Sequence, residues 1–68
     1  MNKERNNFII NIQNLLKEKK LNRKQFADLI GCSKTAVSKW LLNQTQPTFD
    51  NIVMIIKVLN CTFEDLIS

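Results

Sequence analysis

Between Asn22 and Gln46 the chain gathers hydrogen-bond donors. Arg23, Lys34 and Lys39 are cationic; Asn22, Thr35, Ser38, Asn43, Gln44, Thr45 and Gln46 are neutral. Lys17, Lys19, Lys20 and Lys24 add to the cations, against only Glu18 and Asp28 in this middle part of the chain. Lys and Arg donate hydrogen bonds and accept none. The chemistry on offer is therefore the recognition of anionic groups, not the making and breaking of bonds. There is no His. No carboxylates pair in an apolar setting, no Gly-rich loop could cradle a phosphate, and no nucleophile has a base beside it, so no catalytic residue is assigned and an enzyme is not expected. Cys32 and Cys61 form neither a metal-binding nor a redox spacing, so no metal site and no cofactor is expected.

The donors need elements to hold them, and the spacing of apolar residues predicts which. Phe26, Ala27 and Ile30 fall on one face of a short helix, Arg23–Ile30, with Asn22 as its N-cap. Gly31 follows at once, where a helix can stop in a left-handed residue. Ser33 then caps a second helix running from Lys34 to about Leu42. In it Val37, Trp40 and Leu41 face inward, while Thr35, Ser38, Lys39 and Leu42 share the opposite face. Ala27 is expected where the two helices cross, since a larger side chain would push them apart. Two short helices joined by a tight Gly turn make a helix-turn-helix over residues 23–42, whose second helix enters the major groove of DNA. Lys34, Thr35, Ser38 and Lys39 are then the candidates for base-edge contact. Lys can donate to guanine O6 and N7, and Ser and Thr can donate or accept. Arg23 at a helix N-terminus, with Asn22, Asn43, Gln44, Thr45 and Gln46, is suited to phosphate. Trp40 could suggest stacking on bases, but its spacing from Val37 assigns it to the core.

The remaining chain reads as support. At 68 residues with 44% hydrophobic content, the sequence is one small domain, residues 1–68, too apolar for disorder and close to the size limit for folding on a core alone. An all-α, compact five-helix bundle is expected. Met1 to Asn6 is polar and expected to fray. The first helix should run from about Asn7 to Lys19, with Phe8 or Ile9, then Ile12, Leu15 and Leu16 as its apolar stripe. Leu21 packs after it. Asn43 to Thr48 is a polar loop containing Pro47. Thr48 caps a helix over Phe49–Leu59, Asn60 ends it in a left-handed conformation, and Thr62 caps a last helix over Phe63–Ile67. The net charge of +4 is unevenly spread: the last third sets Lys57 against Asp50, Glu64 and Asp65, so the molecule has a basic middle and an acidic tail. Two cysteines at apolar positions, with no leader sequence, are expected to be free, buried thiols in a cytoplasmic protein. No apolar run approaches membrane-spanning length, and no membrane partner is expected.

From Leu21 to Ile67 the sequence LNRKQFADLIGCSKTAVSKWLLNQTQPTFDNIVMIIKVLNCTFEDLI resembles, in register and without a gap, the DNA-binding domain shared by phage repressors, Cro proteins and XRE-type bacterial regulators. Ala27, Gly31, Ser33, Val37, Ser38 and Pro47 carry the likeness together. The resemblance implies a lambda-repressor-like fold, and base reading from the positions of Lys34, Thr35, Ser38 and Lys39. The departures are specific. Arg23 stands where the family usually has Gln, Asn43 where it has Gly, and Leu16 and Leu41 where it frequently pairs an Arg with a Glu. Met54 replaces a usual polar residue and Val58 a small one.

These observations lead to a sequence-specific binder of double-stranded DNA, a transcriptional regulator and a repressor of phage or Cro-like type. No small-molecule ligand is expected, since no second domain is visible. The alternative is a helix-turn-helix used for protein contact, as in an antitoxin or anti-repressor component. The helix over Phe49–Leu59 is apolar on almost every side except at Asp50, Asn51 and Lys57, which a domain this small cannot easily enclose. Met54, Val58, Phe63, Leu66 and Ile67 are therefore expected to form the interface of a homodimer on a near-palindromic operator. Leu16 and Leu41 are expected to touch in the core, an apolar pair replacing a charged one.

Overall fold

A computed structural model describes residues 3–68, and the side chains within that range except those of Glu4 and Arg5. The described residues form five helices and no strand: α1 Lys3–Glu18, α2 Arg23–Ile30, α3 Lys34–Leu41, α4 Phe49–Leu59 and α5 Phe63–Ile67. α2, α4 and α5 have the boundaries the sequence predicts, and α3 ends one residue early with Leu42 as its cap. α1 is the correction. It begins at Lys3, so Lys3–Asn6 are helical, while Met1 and Asn2 lie outside the described residues. The segment from Lys3 has no Gly or Pro to stop a helix, and Lys, Glu and Arg are good helix formers.

Short-range chemistry sets the helix starts. Asn22 Oδ1 accepts from Gln25 N at 2.7 Å, and Gln25 Oε1 accepts from Asn22 N at 3.0 Å, a reciprocal capping box. Ser33 Oγ accepts from Ala36 N, Thr48 Oγ1 from Asn51 N, and Thr62 Oγ1 from Asp65 N. Thr62 N in turn donates to Asp65 Oδ2, closing a second box.

The ends of α1 to α4 share one device. Each chain reversal places a residue in the left-handed region: Lys20 (φ 59°), Gly31 (φ 78°), Asn43 (φ 63°) and Asn60 (φ 53°). The amide of the following residue then reaches five residues back. Leu21 N donates to Leu16 O, Cys32 N to Ala27 O, Gln44 N to Lys39 O and Cys61 N to Ile56 O. This is the Schellman closure, which satisfies carbonyls a helix end would otherwise leave open. Both cysteines thus occupy the position just after a left-handed residue. They are free and packed against the core, but half-buried, not the fully buried thiols expected: the closing position lies at the rim of a helix end.

One apolar cluster joins every helix. Ile12 and Leu16 of α1, Phe26, Ala27 and Ile30 of α2, Val37, Trp40 and Leu41 of α3, Ile55 and Leu59 of α4 and Leu66 of α5 are all buried. Trp40 is a core residue, as its spacing indicates. α1 packs chiefly on α5 and also on α3; α2 packs on α3 and α4. Leu66 is 0% exposed, which corrects its assignment to a dimer interface: α5 turns this side chain into its own core. Met54, Val58 and Ile67 are half-buried and Phe63 is half-exposed.

Candidate nucleic-acid interface

α2 and α3 are eight residues each, with Gly31, Cys32 and Ser33 between them. The turn is held at both ends. Gly31 N donates to Asp28 O and Cys32 N to Ala27 O, while Ser33 starts α3. A Cβ on Gly31 would meet nothing within 4 Å, so this glycine is there for its backbone angle and not for space. The Cys32 thiol donates to Asn51 Oδ1 at 3.3 Å, tying the turn to α4. With Val37, Trp40 and Leu41 buried, the orientation of α3 about its axis is fixed.

The outward side of α3 carries exposed Lys34, Thr35 and Lys39, with Ser38 half-buried beside them. Leu42 at its end is 61% exposed. Arg23, the first residue of α2, is half-buried, and its Nη1 donates across the motif to Ser38 Oγ at 3.4 Å, a long hydrogen bond. The structure thus brings a candidate phosphate contact and a candidate base contact into one pair, which the sequence does not reveal. Asn22 is exposed, but its side-chain oxygen is engaged in the cap of α2, leaving its amide donors for any anion.

The loop after α3 is folded back on its end. Lys39 O accepts from Gln44 N at 2.9 Å and from Thr45 N at 3.4 Å, and Trp40 O accepts from Asn43 N at 3.1 Å. Left-handed Asn43 makes this possible, doing the work of the family's Gly with a side chain that tolerates the conformation. Gln44, Thr45 and Gln46 are exposed, and the first two are anchored by their amides to the end of the helix that carries Lys39.

The electrostatics favour an anion on this side. No carboxylate occurs between Leu29 and Phe49. Asp28 is matched by Lys24 at 3.3 Å, an exposed pair one helical turn apart that adds little stability. Away from this face, burial first and the Asp65 carboxylate second raise the Cys61 thiol above its ordinary pKa, with Lys19 opposing, so this sulfur is not an activated nucleophile.

Sequence reasoning passed over Gln25, although N-x-x-Q at a helix start is a recognisable capping-box spacing. It also passed over Asn7 and Asn11, which bind α5 and whose spacing carries no local signal. Lys20 likewise gives no sign that it would adopt a left-handed angle.

A short helix, a turn through left-handed Gly31 and a second helix whose outer side presents donors define a helix-turn-helix domain. A family model described as helix-turn-helix matches residues 12–66, and the chain belongs to that family, the XRE-type domains of Cro and phage-repressor-like proteins. It is a DNA-binding regulatory domain. Neither a curated protein nor a solved structure matches the chain. Among the described residues no helix is long and apolar enough to cross a membrane.

Proposed function

We propose that this protein represses transcription by binding a specific double-stranded DNA sequence, with α3 in the major groove. The observation that carries the reading is the outer side of α3. Lys34, Thr35, Ser38 and Lys39 stand together there, flanked by Arg23, Asn22 and the Asn43–Gln46 loop, with no carboxylate among them. Lys34, Thr35, Ser38 and Lys39 read base edges in this account; Arg23, Asn22, Asn43, Gln44, Thr45 and Gln46 hold the backbone. Residues 1–68 act as one domain, in the cytoplasm, and as a homodimer on a near-palindromic operator. Met54, Val58, Phe63 and Ile67 supply the interface, and the two α3 helices lie about 34 Å apart.

Selection from a random pool of duplexes tests this, followed by binding to the selected site at several salt concentrations. Recovery of a defined sequence, bound more tightly than random duplex and more weakly as salt rises, is the expected result. Equal binding to all duplexes, or none, would exclude it.

The second reading, a module acting through protein contact, draws on the exposed apolar side chains Phe49 (78%) and Phe63 (50%). It predicts no selected sequence in the same experiment.

A further inference from the structure

We propose that Leu42 covers the methyl group of a thymine, adding an apolar contact to the hydrogen bonds made by α3. The proposal rests on the reading above, in which α3 lies in the major groove. Thr35, Ser38, Lys39 and Leu42 follow one another at helical spacing, so they share the outer side of α3. Leu42 still belongs to the last turn of that helix, because its amide donates to Ser38 O at 2.9 Å, four residues back. Helical side chains lean toward the N-terminus of their helix, so Leu42 extends over the turn that carries Ser38 and Lys39. A single exposed Leu is ordinary on a protein surface. Its place sets this one apart. Its neighbours on that side all carry hydrogen-bond donors, and no carboxylate occurs between Leu29 and Phe49. Leu42 is 61% exposed and stands outside the apolar cluster that joins the helices, so the fold gains little from an apolar residue there.

The chemistry of the contact follows from what Leu lacks. It neither donates nor accepts a hydrogen bond. Among the four bases only thymine adds a methyl group, at C5, to the edge in the major groove. Covering that methyl removes apolar surface of both partners from water. Cytosine has no such methyl and offers its N4 donor instead, which Leu cannot satisfy. Leu42 therefore favours thymine over cytosine at the base it covers, a discrimination that the donors of α3 do not supply through their own hydrogen bonds to acceptors. A helix rises about 1.5 Å per residue, which puts Leu42 roughly 4.5 Å beyond Lys39, and successive bases are about 3.4 Å apart. The methyl should lie within about two base pairs of the base that Lys39 contacts.

The test begins with the duplex that wild-type protein selects from a random pool. Each thymine of that site is replaced in turn by uracil, which removes the methyl and keeps the pairing and the O4 acceptor. Binding of every duplex is measured for wild type, Leu42→Ala and Thr35→Ala, with thermal unfolding as the control for structure. Thr35 is included because its own methyl stands on the same side of α3 and competes for the role. At one thymine, uracil should weaken wild-type binding by about fourfold, the worth of one buried methyl. Leu42→Ala should bind the parent duplex more weakly, melt as wild type does, and be indifferent to uracil at that position. Thr35→Ala should respond there as wild type does. If no uracil weakens wild-type binding, if Leu42→Ala loses as much as wild type at every thymine, or if Thr35→Ala is the variant that becomes indifferent, the proposal falls while the DNA-reading function stands. If the wild-type protein selects no sequence at all, both fall.

Discussion

The side-chain amide of Asn11, in α1, donates to the backbone carbonyl of Leu66, in α5, at 2.9 Å across 55 residues of chain. The same nitrogen lies 3.1 Å from Asp65 O and 3.2 Å from Ser68 O, and Asn7 Nδ2 reaches Ile67 O at 3.3 Å. The last carbonyls of a helix have no partner within it. Two asparagines one turn apart on α1 supply partners to the end of α5, and so seat Leu66 in the core. Asn11→Ala should destabilise the fold by about 1–2 kcal/mol, and Asn7→Ala by less. Urea unfolding of the two variants checks the order; an Asn11→Ala protein as stable as the parent would remove the clamp from the account.

The left-handed caps give a pair of opposite predictions. Lys20 holds φ 59° with a Cβ, a conformation costing roughly 1–2 kcal/mol for most residues. Lys20→Gly should raise stability by about 0.5–1 kcal/mol, part of the relief being offset by the freer unfolded chain. Gly31→Ala should lower it by about 1 kcal/mol, purely from backbone strain, since the added Cβ meets nothing. Thermal melts that moved both variants in the same direction would contradict the assignment.

Leu16 and Leu41 are each 6% exposed and belong to the same core cluster, in two helices that pack together. We expect them to face each other. Leu41→Glu alone would bury an unpaired carboxylate and should cost roughly 3 kcal/mol or more. Adding Leu16→Arg should recover much of the loss. A double-mutant cycle by urea unfolding reads the coupling, and strictly additive losses would place the two leucines apart.

On the outer side of α3, Lys39→Ala and Thr35→Ala should each weaken binding to the selected site by about 1–3 kcal/mol, with little change in stability because both are exposed. Arg23→Ala should weaken binding to every duplex and flatten the salt dependence. Titrations against specific and random duplex at several salt concentrations separate the two effects. A uniform effect of Lys39→Ala would reverse its role.

For self-association, α4 supports the expectation of an interface. Only Ile55 and Leu59 are buried, while Ile52, Val53, Met54, Ile56 and Val58 remain half-buried and Phe49 is exposed. Phe63→Glu should weaken the dimer and leave the monomer folded, because this ring is half-exposed. Leu66→Glu should instead unfold the monomer, since its side chain is enclosed. Sedimentation with and without DNA distinguishes them; a wild-type monomer under both conditions would end the dimer proposal.

Much of this architecture is legible in the residues alone, and the reason is range. The caps at Asn22, Ser33, Thr48 and Thr62 act on an amide three residues on, and Gly31 and Asn60 end helices through their own backbone angles. The inward face of α3 follows from helical period. Such features depend on neighbours in sequence, so the sequence by itself determined the helices, the turn and which side of α3 faces out. Contacts between helices depend on crossing angles and axial offsets that no local pattern carries. Arg23 meets Ser38 15 residues away, Cys32 meets Asn51 19 residues away, and Asn11 finds the carbonyls of α5. Leu66 and Phe63 look alike as apolar residues of one short helix. Only the docking of α5 onto α1 makes the first a core residue and leaves the second half in solvent.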